Sequence, residues 1–171
     1  MASAPLLDDV AFTTIDSPIG RVLLARTSRG LVRIVFAHED FGHALDLLES
    51  RSSGVHEDRE RLTDSVGEFS EYFAGQRRTF GLPLDFSLSA GFRRRVQEAL
   101  PRIPYGQTRS YAEVAALVGN PRAVRAVGTS CARNPLPIVV PCHRVVRSDG
   151  SLGGYAYGLK IKEELLKREV K

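Results

Sequence analysis

Cysteine is scarce in this chain of 171 residues: there are two, Cys131 and Cys142, eleven positions apart, and none precedes them. Two cysteines cannot build the multi-bridge framework of small extracellular domains, though they could pair with each other. The opening residues Met1-Ala2-Ser3-Ala4-Pro5-Leu6-Leu7 show neither a basic start nor a long apolar core. The expectation is therefore a cytoplasmic protein with free thiols. No stretch approaches the 18 or so apolar residues of a membrane-crossing helix, so no membrane partner is expected. Internal repeats and low-complexity tracts are also missing, which excludes solenoid and array architectures. What is present is 43% apolar residues, enough for a core without covalent staples.

The net charge of +4 conceals a division. Residues 1–90 hold 9 Lys/Arg against 14 Asp/Glu, and residues 91–171 hold 15 against 6. Positive charge gathered in one half points to a polyanionic partner, with a merely solubilising basic face as the alternative.

Short β-rich runs punctuated by Gly and Pro predict an antiparallel meander over 10–15, 21–27 and 31–36. Phe41, Ala44, Leu45 and Leu48 predict an amphipathic helix over 40–49, and Leu62, Val66, Phe69 and Phe73 another over 61–74, ended by Gly75. The polar segment 51–59 reads as a mobile loop, and 79–84 as a short strand. A linker over 85–90 divides the chain into domains 1–85 and 86–171. A helix over 92–100 opens the second, stopped by Pro101 and Pro104. Ser110, with Glu113 three residues on, has capping-box spacing and starts a helix that ends at Gly119-Asn120. Pro121 then suits the first position of a second helix reaching about Arg133. The pair reads as a helix-turn-helix.

That second helix mixes arginines with very small residues, in Arg122-Ala123-Val124-Arg125-Ala126-Val127-Gly128-Thr129-Ser130-Cys131-Ala132-Arg133. Small side chains allow close approach while Arg122 and Arg125, three apart, meet phosphate or fill a vacated base position. Packing against another helix would use the same small residues. Cys131 reads as a packing residue, and Arg93-Arg94-Arg95 as a phosphate contact or a solvated face.

The most informative run is Ile138-Val139-Val140-Pro141-Cys142-His143-Arg144-Val145-Val146-Arg147. It sets a cysteine between a rigidifying proline and a histidine. Only the thiolate is a strong nucleophile, and at an ordinary pKa near about 8.5 only a few per cent is ionised at pH 7, so an adjacent base matters. A structural cysteine beside an incidental histidine is the plainer alternative.

Pro141-Cys142-His143-Arg144-Val145, preceded by Asn134-Pro135-Leu136-Pro137, resembles the active-site signature of the O6-alkylguanine-DNA alkyltransferases. Further matches follow in order: Ile103-Pro104-Tyr105-Gly106, Ser110-Tyr111, Gly119-Asn120-Pro121, Arg125-Ala126-Val127-Gly128, Gly154-Tyr155 and Lys162-Glu163-Glu164-Leu165-Leu166. Thr14-Ile15-Asp16-Ser17-Pro18-Ile19-Gly20 resembles the family's opening more loosely. The resemblance implies an α+β protein: a small N-terminal, ribonuclease H-like domain of antiparallel sheet and helices, then a mainly helical domain with the helix-turn-helix. It implies direct-reversal repair of O6-alkylguanine, and of O4-alkylthymine, in double-stranded DNA. The base is flipped through the minor groove, because a stacked base cannot reach a nucleophile. Cys142 then takes the alkyl group irreversibly, with no cofactor. His143 is implied as the base acting through a water, oriented by Glu169, and Tyr111 as the residue that turns the phosphate and assists the leaving group. Arg125 would fill the gap, with Arg122, Ala126 and Gly128 also meeting DNA. Asn134 braces the turn before Cys142, while Pro137, Val145, Tyr155, Ala156 and Tyr157 line the base and alkyl pocket. A monomer, able to bind cooperatively on DNA, is expected. A non-catalytic sensor or regulator on the same scaffold is the rival reading, against which the presence of Cys142 itself argues.

Three departures stand out. Thr129-Ser130 replaces two smaller residues of the family. Tyr157 sits where many members have glycine and is expected to narrow the pocket, favouring methyl over benzyl. The N-terminal half, where some members bind zinc, offers only His38, His43 and His56, so no metal is expected.

Overall fold

The computed structural model describes residues 6–170, so the reading of the first five residues lies outside it. The chain divides into two compact units, one ending at Leu88 and the other beginning at Ser89.

The first unit is built on strands β1 (Leu7–Ile15), β2 (Val22–Thr27) and β3 (Gly30–Phe36), helix α1 (Phe41–Arg51), strand β4 (Ser52–Glu57) and helix α2 (Thr63–Phe73). Spatial order is β3-β2-β1-β4, with β1, β2 and β3 antiparallel in sequence. Strand β2 is buried along nearly its whole length because sheet neighbours flank it on both sides. Each leucine so buried contributes about 1.5–3 kcal/mol. Ala44 and Leu48 of α1 close over Leu7, Val10, Leu23, Ala25, Val32 and Val35. Asp40 caps α1 by accepting from the His43 N–H at 3.1 Å.

Two sequence expectations fail here. The segment read as a mobile loop contains β4, which pairs in parallel with β1, so the sheet is mixed rather than antiparallel. A polar edge strand held by backbone hydrogen bonds leaves little trace in a hydropathy pattern. The strand expected over 79–84 is a single bridge, Leu31 to Leu84. There the Pro83 carbonyl accepts from the Leu31 N–H at 2.9 Å. A Cβ on Gly30 would lie 2.3 Å from that carbonyl oxygen, so only glycine permits this approach.

The second unit holds α3 (Gly91–Ala99), the two-residue strand β5 (Arg109–Ser110), α4 (Tyr111–Leu117), α5 (Val124–Ala132), strand β6 (Val145–Val146) and α6 (Leu159–Glu169). Ser110 caps α4, its hydroxyl accepting from the Glu113 N–H at 3.0 Å. Helix α5 starts three residues later than Pro121. Asn120 to Ala123 form a turn closed by the Ala123 N–H on the Asn120 carbonyl, which leaves Arg122 outside the helix. No side chain caps α5, so nothing draws the helix back to the proline. Fully buried Gln97 of α3 donates to the Ser130 carbonyl at 3.1 Å, fixing the end of α5. The arginines opening α3 are partly committed locally: Arg94 pairs with Glu98 at 2.6 Å and Arg95 donates to the Val118 carbonyl at 2.7 Å. No helix among the described residues is long and apolar enough to cross a membrane.

Candidate active site

Parallel pairing of β5 with β6 sets Ser110, the cap of α4, beside Val146. The nucleophile candidate stands immediately before β6. Residues Cys142–Arg144 form a single 3₁₀ turn. Pro141, at φ −80° and ψ 66°, is the centre of an inverse γ-turn closed by the Cys142 N–H on the Val140 carbonyl at 2.8 Å.

Asn134 holds the approach to this turn. Its amide donates to the Val140 carbonyl at 2.8 Å and accepts from the Leu136 N–H at 2.9 Å. Between these contacts Ile138 adopts φ 76°, a left-handed conformation that a β-branched side chain rarely accepts, at about 1–3 kcal/mol. The strain stands four residues before Cys142 and is held by buried packing, since Ile138 is itself buried.

Cys142 opens onto a cavity of about 420 Å³, lined by Tyr111, Gly128, Cys131, Ala132, Gly154, Tyr155 and Ala156 besides itself. Helix α5 thus supplies one wall and the loop before α6 another. Tyr111 reaches across from α4, its hydroxyl 3.5 Å from the Gly154 carbonyl. Gly153 permits this: it sits at φ +71°, and a Cβ there would lie 3.1 Å from the Tyr111 hydroxyl.

Behind Cys142 lies a buried ionic cluster. His143 Nε2 is 2.8 Å from Glu169 Oε2. Arg144 donates to the same carboxylate from Nε at 2.8 Å and from its second guanidinium nitrogen at 3.1 Å, and also to the Ile103 carbonyl at 2.7 Å. Burial pushes the Glu169 carboxyl up, but hydrogen bonds from His143 and Arg144 outweigh it and hold the group at about 2. An ionised Glu169 requires His143 Nε2 to carry the hydrogen, leaving Nδ1 as an acceptor. Nδ1 is buried and without a protein partner among the described residues. Burial also lowers the imidazole below its ordinary value, so His143 is neutral and able to take a proton at neutral pH.

Burial pushes the Cys142 thiol up, opposed in part by hydrogen bonding to Asn134 and Tyr155 and by the charge of Lys162. The resting group is therefore a thiol that needs a base.

Several expected residues stand elsewhere. Pro137 and Val145 are buried and do not line the cavity. Val145 is committed to β6 and to Lys162. Tyr157 does not line it either: its hydroxyl donates to the Asn134 carbonyl, and its ring meets Tyr155 edge-on at 5.4 Å. It therefore backs the wall instead of narrowing the space. Arg125 and Ala126 are exposed along α5, as is Arg122 in the turn before it. Cys131, read as packing, is buried yet lines the cavity. Sequence reasoning missed Arg144 and Lys162. Their signal was spacing: Lys162, Leu165 and Glu169 fall at i, i+3 and i+7 of α6 and form its buried face.

Two family models match the chain: the ribonuclease-like domain of 6-O-methylguanine DNA methyltransferase over residues 10–86, and its DNA-binding domain over 91–171. The constitutive methylated-DNA--protein-cysteine methyltransferase of Bacillus subtilis is 43% identical over 85% of this chain and 86% of that protein. The Methanosarcina barkeri protein of the same name is 42% identical over 92% and 96%. The crystal structure of Mycobacterium tuberculosis O6-methylguanine methyltransferase superposes with a TM-score of 0.83 at 37% identity, covering 94% of this chain and 93% of that one. A Mycobacterium tuberculosis structure in complex with DNA gives 0.79 at 36% identity, covering 93% and 92%.

Proposed function

Because the chain belongs to the 6-O-methylguanine DNA methyltransferase family, we propose that it repairs DNA by direct reversal, moving the alkyl group of O6-alkylguanine, and of O4-alkylthymine, onto Cys142. The observation that carries this reading is a cavity that contains one cysteine of a buried Cys142-His143-Glu169 arrangement and is walled by the small-residue helix α5.

The chemistry follows from the donors and acceptors. The thiol proton passes through a water to His143 Nδ1, and Glu169 stabilises the imidazolium that forms. Sulfur attacks the alkyl carbon, the S–C bond forms as the C–O6 bond breaks, and guanine leaves with the electron pair. Tyr111, which lines the cavity, assists that departure, and the guanine regains a proton. Tyr155 and Ala156 border the base. A thioether is not cleaved by any group in the site, so each molecule acts once.

Double-stranded DNA meets α5 and the turn before it, with Arg125 filling the gap left by the flipped base and Arg122, Ala126 and Gly128 along the groove. The 15 basic against 6 acidic residues of 91–171 favour a polyanion. The protein acts as a cytoplasmic monomer, and further copies can add along one duplex.

Intact mass after incubation with duplex O6-methylguanine tests this. One methyl is expected on Cys142, and none in Cys142→Ala. An unchanged wild-type mass with retained binding would favour the sensor, and repeated turnover would sink stoichiometric transfer.

A further inference from the structure

Lys162 is fully buried in the first half of α6, yet it is not needed for the proton path above. Its Nζ donates to three carbonyls: Val145 at 2.7 Å, Leu152 at 2.5 Å and Gly154 at 3.2 Å. None of these can donate in return, so all three are satisfied only by an ammonium, whose three hydrogens match them. No carboxylate pairs with it among the described residues, although burying an unpaired charge is among the costliest arrangements in a protein. The partial compensation is two aromatic faces: the Tyr111 ring centre lies 5.9 Å from Nζ and that of Tyr155 5.8 Å. Both rings line the cavity that contains Cys142.

Hydrogen-bond count alone requires the ammonium only for the third carbonyl, since an uncharged amide donor could serve two of them. The charge has another counterpart. Lys162 interacts electrostatically with Cys142, so when the thiol ionises a positive group is already fixed by three carbonyls and already desolvated, and no reorganisation is required. We propose that Lys162 is a positioning residue for the transfer reaction: its buried ammonium pins the loop that carries Gly154 and Tyr155 over the cavity and serves as the electrostatic counterpart of the Cys142 thiolate. This rests on Cys142 being the acceptor, as proposed above.

The groups around Lys162 act on its charge in opposite directions. Burial lowers its ammonium from the ordinary value, Cys142 and Cys131 raise it, and Arg147 lowers it further. Reciprocally, Lys162 lowers both thiols, and it also lowers His143, which keeps that imidazole neutral. Tyr111 and Tyr155 turn their ring faces toward it.

Lys162→Met keeps the stem and removes the charge. Carbamidomethylation of Cys142 by iodoacetamide, located by peptide mass and followed against pH, reads the thiol without needing alkylguanine. The apparent pKa of Cys142 should rise by at least one unit, with the rate at pH 7 down about tenfold and recovered in strong base. Lys162→Arg should restore part of the shift. A rate lowered equally at every pH, with the pKa unmoved, would show a structural role only and overturn the proposal. If Lys162→Met does not fold, carbon-13 NMR of the lysine side chains in the wild type decides. Methylating Cys142 removes the thiolate, so the Lys162 pKa should fall, and no change would overturn the proposal. Failure of the functional reading looks different: the wild type would gain no methyl from alkylguanine DNA, while the iodoacetamide profile would still respond to Lys162.

Discussion

Glu169, at the end of α6, lies 2.8 Å from His143 Nε2 and takes two further hydrogen bonds from Arg144 on the same carboxylate. One acidic group thus fixes the imidazole tautomer and neutralises a buried guanidinium. Glu169→Gln keeps the shape but turns an acceptor-only group into one that can donate, so the hydrogen can move to Nδ1 and block the base. Arg144 also loses its counter-charge. The expected outcome is a transfer rate down by about 10²-fold or more in single-turnover assays. Stability should fall by about 3–5 kcal/mol in urea unfolding. An unchanged rate would reject Nδ1 as the proton acceptor.

The same cluster sets the pH dependence of folding. The imidazole is lowered in the folded state, so the unfolded chain takes up a proton first, and stability declines as pH falls below about 6.5. Glu169 is held at about 2, so its contribution is whole above its ordinary value of 4.5 and drains away as pH falls from there toward 2. Melting temperatures should therefore drop in two stages on acidification. His143→Gln should flatten the upper stage and leave the lower one. A single transition below pH 4.5 in the wild type would contradict a neutral buried imidazole.

Much of this could be read from the sequence, for physical reasons. The three antiparallel strands carry apolar runs, and Asp40 and Ser110 cap their helices through local hydrogen bonds that need only nearby residues. Cys142 and His143 stand out because proline and a neighbouring base are adjacent in the chain. What escaped depends on distance in sequence. Strand β4 is held by backbone pairing to β1, and Val55 is its sole large apolar residue. The buried partners of Arg144 and Lys162 emerge only once α6 is known to turn its Lys162, Leu165 and Glu169 face inward. Tyr157 was misplaced because its neighbours Tyr155 and Ala156 do line the cavity, while its own hydroxyl is drawn to Asn134.

That placement reverses the expectation for alkyl size. Tyr157→Gly removes a buried ring behind Tyr155, at about 3–5 kcal/mol, and frees the Asn134 segment. Reaction with O6-benzylguanine and with O6-methylguanine should slow together, not separate in favour of benzyl. Tyr157→Phe, which loses only the hydroxyl, should cost about 1 kcal/mol and leave both rates near wild type. A selective gain of benzyl reactivity in the glycine variant would restore the narrowing role.

Arg125 is exposed on α5. Arg125→Ala should slow repair of duplex substrate, because the gap left by flipping, worth roughly a few kcal/mol, is no longer filled. Alkylation by the free modified base should be nearly unchanged. Wild-type DNA binding should weaken steeply with salt, each neutralised phosphate adding about −0.9 to the logarithmic slope. Equal losses on duplex and free base would remove Arg125 from the flipping step.

Gly153 offers the sharpest steric test. At φ +71° an L side chain is strained in any case, and a Cβ would lie 3.1 Å from the Tyr111 hydroxyl and 3.2 Å from its ring. Gly153→Ala must therefore displace Tyr111 or the loop, and Leu152 and Gly154 on either side are held by the Lys162 ammonium. The tyrosine, its hydroxyl held by a long 3.5 Å contact to the Gly154 carbonyl, is the softer partner and should yield. Its hydroxyl would move off the leaving group, slowing transfer from both duplex and free base, whereas Arg125→Ala affects the duplex alone. Affinity for undamaged DNA should be retained, since α5 is untouched. Adding Tyr111→Phe should then cost little more than Gly153→Ala alone, because both act on one hydroxyl. Fully additive losses in that double variant would show that Gly153 matters for some reason other than the placement of Tyr111.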